Sequence, residues 1–105
     1  MNKILNIYRL SLDYPDVSGA ELLELLAIRD QISTLESALS LEEQKILFEA
    51  DRKLIANAAV FCQEISHFIN FYEHRKKNNI SSQKWWWYLD VLVNIHNYLI
   101  PVVAA

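Results

Sequence analysis

Residues 40–79 read SLEEQKILFEADRKLIANAAVFCQEISHFINFYEHRKKNN, and the architecture hinges on whether they form one helix. Ser40 is followed three residues later by Glu43, the spacing at which a serine hydroxyl and a glutamate carboxylate cap a helix start reciprocally. From there Leu47, Leu54, Phe61 and Phe68 recur seven apart. Ala58, Ile65 and Tyr72 fall between them at the other core spacing, with Asp51 as the exception. A second stripe, Phe48, Ile55, Cys62 and Ile69, lies about 100° further round. The pattern predicts a helix over residues 40–75 with an apolar face wide enough to touch two neighbours. Residues 74–79, HRKKNN, close it with cations at the negative end of the helix dipole. At 1.5 Å per residue such a helix would be about 50 Å long, more than a small domain covers. It must bend or break, or something else must cover one end.

Upstream, Ser18 and Glu21 make a second capping-box pair, with Val17 and Leu22 placed for a hydrophobic staple. Leu22, Leu25, Ile28, Ile32, Leu35 and Leu39 then recur at spacings of three and four, which predicts an amphipathic helix over 18–39. DYPD at 13–16 is a turn, and residues 1–17 suit either an arm or a short helix. Downstream, Ser81 is placed as a cap, with Ile80 and Trp85 as a staple, for a helix over 81–100 that Pro101 stops. The expected fold is all-α: one domain over 1–105, a small bundle of three long amphipathic helices plus a short N-terminal segment.

Within the last helix lies KWWWYLD, residues 84–90. Consecutive residues of an α-helix point about 100° apart, so three adjacent indoles cannot share a face. Trp85 aligns with Tyr88, Leu89, Leu92 and Leu99 on the core side. Trp86 aligns with Val93 and Ile100 at the flank. Trp87 points toward Asp90, Val91, Asn94 and Tyr98, the most polar side. That polar strip is narrow, and a helix apolar nearly all round is buried nearly all round. Three helices cannot surround it. Three readings follow: Trp87 lies across the surface with its N–H wetted, or Trp87 or Trp86 meets another chain, because tryptophan and tyrosine concentrate at binding hot spots, or the ring sits at a membrane interface, a zone both residues favour. The contact surface is expected at Trp86, Trp87, Val91 and Tyr98, with Phe71 and Tyr72 at the far end of helix 40–75.

The composition narrows the function classes. Of 105 residues, 52% are hydrophobic and 22% charged, which excludes a disordered chain. The net charge is −3, with nine acids against four bases in residues 1–50 and four against six in residues 51–105. A duplex-binding domain would show a basic face. The nearest approach to one, His74, Arg75, Lys76, Lys77 and Lys84, reads more simply as a solvated helix end. The single cysteine, Cys62, excludes an intrachain disulfide, and a cytoplasmic location is the default. Neither terminus reads as a signal peptide or a membrane span of about 20 apolar residues.

Chemistry-bearing motifs are sparse. Glu64 and His67 sit three apart as in di-metal bundles, but that motif should occur on two helices and here occurs once. His67 and His74 are too far apart along a straight helix to hold one ion. Cys62 lies between Ile55 and Ile69 as a small core residue, and His96 beside Leu89 and Leu92 as a core or interface histidine. Gly19 is the only glycine, so no phosphate loop can form, and no nucleophile–base–acid arrangement is supported. The expectation is a non-enzymatic helical interaction module, without metal or cofactor, that forms a homo-oligomer (a dimer through helices two and three), binds a protein partner, or both. The alternatives are a bundle holding a small apolar ligand between helices two and three, and a weak nucleic-acid binder.

Overall fold

The computed structural model describes residues 2–13 and 18–95, and these contain helices and turns but no strand. The all-α expectation holds. The three long helices do not: the described residues form six shorter ones. These are α1 (Lys3–Asp13), α2 (Gly19–Ser33), α3 (Leu41–Ala56), α4 (Ala58–Ile65), α5 (Phe71–Asn78) and α6 (residues 89–95). Two 3-10 turns, Glu36–Ala38 and Trp85–Tyr88, lie before α3 and α6.

Local chemistry accounts for each departure. The N-terminal segment is a helix because the Asn2 side chain accepts the orphan N–H groups of Ile4 and Leu5, at 2.9 and 3.1 Å. Helix 18–39 stops at Ser33, where the hydroxyls of Ser33 and Thr34 bond to the Asp30 and Gln31 carbonyls and compete with the helical ladder. Helix 40–75 breaks twice. Asn57, at φ −104° and ψ 14°, donates its side-chain amide to the Lys53 carbonyl at 2.8 Å and separates α3 from α4. Asn70 then caps α5. The described residues measure 42 Å along their longest axis, shorter than the unbroken helix would be.

Of the three caps read from the sequence, Ser40 forms its full box, Ser18 forms half of one, and Ser81 caps no helix, since residues 81–84 lead into the Trp85–Tyr88 turn and α6 starts only at residue 89. Ser18 accepts from the Glu21 N–H, and Ser40 and Glu43 form the full reciprocal box. Glu43 also accepts the Asn2 N–H at 2.7 Å, tying the start of α1 to the start of α3. These backbone N–H groups, Ser40 before Asn2, hold its carboxyl below the usual carboxylate range. At the other end, Asn79 adopts the left-handed conformation that terminates α5.

Helix α1 packs on α2 and α3, α2 packs on α4 and on the Trp85–Tyr88 turn, and α5 packs on that same turn. Leu5, Leu26, Leu54, Phe61, Ile65 and Leu89 form the fully enclosed centre. The start of α2 presses directly onto the end of α4. A Cβ at Gly19 would lie 2.7 Å from the Phe68 ring and closer still to the Glu64 carbonyl oxygen, so this close approach accounts for the one glycine.

Candidate protein-interaction surface

The break between α4 and α5 builds the most distinctive surface. Through α3 and α4 the seam behaves as its spacing predicts, with Leu47, Leu54, Ala58, Phe61 and Ile65 buried. After Ile65 the chain turns. The Asn70 side chain then accepts the Glu73 N–H at 3.0 Å and starts α5 in a new register. Phe71 now takes the inward position. Phe68 and Tyr72, which continued the seam in sequence, are 56% and 65% exposed. Residues 66–72 and Asp90 enclose an open hollow of about 490 Å³. Two exposed aromatic side chains over a buried third, with Ser66, His67, Asn70 and Asp90 round them, match the make-up of a protein contact.

Asp90, which lines this hollow, follows the tryptophan turn by two residues. In a 3-10 turn successive residues are about 120° apart rather than 100°. Trp86 and Trp87 both point inward, at 3% and 5% exposed, while Trp85 is only partly buried. This corrects the helical ordering, which put Trp85 on the core side and Trp87 on the polar side. Both buried indoles donate their Nε1–H to the same oxygen, Asp30 Oδ1, at 2.8 and 2.9 Å. Lys84 Nζ stands 3.9 Å from that oxygen, and the Arg29 guanidinium lies 4.3 Å over the Trp86 ring. On the other side, His74 packs against Trp87 with ring centroids 4.7 Å apart. Arg75 donates to the Trp87 carbonyl at 2.9 Å and to both oxygens of Asp90 at 2.6 and 3.1 Å. The tryptophans are thus anchors between α2 and α5.

A second polar cluster lies behind them. Arg29, buried on α2, donates to both oxygens of Asp51 at 3.0 and 3.1 Å, and Tyr8 donates its hydroxyl to Asp51 Oδ1 at 2.7 Å. Arg29 Nη1 lies 2.8 Å from Glu36 Oε1, off the line of its N–H bonds. Burial opposes the guanidinium charge, but Asp51 and then Glu36 outweigh it and hold Arg29 above its ordinary value. Burial, reinforced by Asp51, pushes the Tyr8 phenol far up. This cluster explains Asp51, the acid that interrupts the apolar seam. Sequence reasoning missed it, although Arg29 falls seven residues after Leu22, on the core spacing of its own helix.

The expected contact residues therefore separate. Tyr72 and Val91 are exposed, and of these two Tyr72 lines the hollow. Trp86, Trp87 and Phe71 are buried within the chain and present little surface. Tyr98 and His96 lie outside the described residues. Phe68 was not singled out as a contact, because the unbroken seam placed it inside.

Other candidate chemistry is dispersed. Helix α4 ends at Ile65, so Glu64 and His67 do not share a helical face, and His67 is exposed in the following turn. Among the described residues no three His, Cys, Asp or Glu side chains converge as metal ligands. Cys62 is partly buried, and burial pushes its thiol up, away from the reactive thiolate. Within the basic cluster Arg75 is committed to Asp90, and His74 to the Trp87 ring, leaving Lys76 and Lys77 as exposed cations. No helix of the described residues is long and apolar enough to cross a membrane. Comparison with protein-family models, with curated proteins and with solved structures gives no match.

Proposed function

We propose that this chain is a non-enzymatic helical interaction module that self-associates through the hollow at the α4–α5 junction. The observation that supports it is the shared exposure of Phe68 and Tyr72 in one concave site. Single exposed apolar residues are ordinary on any surface, but two large aromatics lining the same hollow are not scattered. A second copy covering them would bury the apolar area that the core leaves out. The lone thiol of Cys62 is the basis for placing the module in the cytoplasm.

Native mass by light scattering over a range of concentrations tests the reading. A dimer is expected, and the double substitution Phe68→Ala, Tyr72→Ala should weaken it. Truncating a hot-spot aromatic costs about 2 kcal/mol, roughly 30-fold in affinity. Helicity should be unchanged, since both side chains are outside the core. A monomer at every concentration, or a dimer indifferent to both substitutions, would overturn it.

The small-ligand alternative has its own supporting feature. An apolar groove of about 410 Å³ runs between α3–α4 and α6, between the second and third helices of the sequence reading. A shift in tryptophan fluorescence across a panel of small apolar compounds would favour that reading, and no response would remove it.

A further inference from the structure

We infer that the hollow between the end of α2 and the tryptophan turn binds a small organic carboxylate carrying a flat apolar body. The hollow holds about 380 Å³, near the lower end for ligand sites and enough for a single-ring molecule. Arg29 and Ser33 line it from one face of α2, a helical turn apart, and Glu36 lines it from the 3-10 turn that follows. Lys84, Trp85 and Trp86 line it from the start of the tryptophan turn. It shares no lining residue with the Phe68–Tyr72 hollow, so the inference does not rest on self-association.

Unused donors decide the charge of the occupant. Arg29 is 3% exposed, and two of its five N–H bonds go to Asp51. Its Nη1 has no in-line acceptor among the described residues, although Glu36 Oε1 lies 2.8 Å away. A buried donor without an acceptor is costly, so an acceptor brought from outside is stabilised there. The Lys84 ammonium is a second donor. It stands 3.9 Å from Asp30 Oδ1, beyond hydrogen-bond length, and that oxygen already serves two indoles. The two neighbouring acids are thus committed: Asp51 to Arg29 and Tyr8, Asp30 to Trp86 and Trp87.

Glu36 shows which group fits. It is the chain's own carboxylate beside Nη1, its side chain is 46% exposed, and its contact is off line. A ligand carboxylate that meets Nη1 in line makes the better charge-assisted hydrogen bond, and the half-exposed Glu36 returns to water at little cost. The exchange leaves the charge beside Arg29 unchanged. The indoles set the apolar body. Trp85 is half-buried and stands edge-on to Trp86, with ring centroids 5.7 Å apart and planes at 87°. The Arg29 guanidinium lies over the Trp86 ring, which leaves Trp85 to pack against a flat ligand ring.

The probe is phenylacetate, titrated into the full chain at constant ionic strength while the indole N–H resonances are followed by NMR. Trp85→Phe identifies the Trp85 signal. So small a ligand should bind with a Kd of order 1 mM, and titration to about 20 mM then approaches saturation. The Trp85 and Trp86 resonances should shift saturably. Phenylacetamide and phenethylammonium keep the ring without the negative charge, and should bind roughly tenfold more weakly. Glu36→Ala removes the competing carboxylate and should tighten binding about tenfold, whereas Lys84→Gln should weaken it about threefold. Tighter binding cannot arise from misfolding, so Glu36→Ala carries the test even where Lys84→Gln disturbs the turn. The absence of a saturable shift, equal binding of the neutral or cationic analogue, or an affinity unmoved by Glu36→Ala would overturn the assignment.

Discussion

Asp30 shows how one side chain settles the placement of the tryptophan run. Its Oδ1 accepts from two buried indoles at once, from Trp86 and Trp87. Without that acceptor, two N–H groups on buried rings would lose their protein partner and depend on water entering at the partly exposed Asp30 position. A hydrogen bond to a charged group contributes about 1.5–3 kcal/mol, and because the two share one oxygen the total should fall short of their sum. Asp30→Ala is therefore expected to lower stability by about 3 kcal/mol and to shift tryptophan emission to the red as water reaches the rings. Asp30→Asn keeps a carbonyl acceptor and should lose less. Denaturant unfolding monitored by tryptophan fluorescence measures both. A loss under about 0.5 kcal/mol in the alanine variant would mean that packing alone holds the indoles.

At the scale of elements, what matters is where helices stop. Asn70 restarts the chain as α5 and in doing so turns Phe68 and Tyr72 outward. An eight-residue helix is marginal without its cap and its packing. Asn70→Ala should cost about 1 kcal/mol, and more of that loss should appear as local opening of α5 than as global unfolding. Hydrogen exchange of the amides in residues 71–78 reads it directly: roughly fivefold faster exchange there, with α3 unchanged, is the expected pattern. Uniform acceleration across the molecule would show instead that α5 opens only with the whole fold. The same breaks explain how much was legible in the sequence. The cap at Ser18, the box at Ser40–Glu43, the seam as far as Ile65 and the cationic end of α5 could all be read, because each depends on residues close in sequence. The breaks at Asn57 and Asn70 were obscured because apolar spacing continued across them, although Asn70 and Glu73 repeat the cap-and-glutamate spacing of the two recognised boxes. The tryptophan orientations failed for a related reason: a helical wheel assumes 3.6 residues per turn, and this turn winds at three. Phe68, the exposed residue of the candidate surface that was not named as a contact, was lost with the seam that hid it.

On the scale of the whole molecule, the Tyr8–Asp51–Arg29 cluster joins α1, α3 and α2 through one partly buried carboxylate. No local pattern could disclose it, because the three residues come together only once three helices have packed. It also gives the fold a defined response to alkali. Burial, then Asp51, raises the Tyr8 phenol in the folded state above its unfolded value of about 10. A group raised in this way contributes stability that is fully present below its unfolded pKa and is lost as pH rises through the window up to the folded value. Above about pH 10 the unfolded chain releases the Tyr8 proton and the folded chain keeps it, so stability should fall by about 1.4 kcal/mol per pH unit from this residue. Tyr8→Phe removes the hydroxyl. Below pH 9 the variant should be less stable by about 1.5 kcal/mol, because Asp51 loses a donor. Phenylalanine cannot ionise, so the gap should close near pH 11 and reverse beyond it. Urea unfolding of both proteins at intervals from pH 8 to 12 measures the difference and cancels the titration of the other tyrosines and the lysines. A gap that stays constant across that range would mean that Tyr8 ionises in the folded protein as freely as in the unfolded one, and that the cluster is open to water rather than sealed between the three helices.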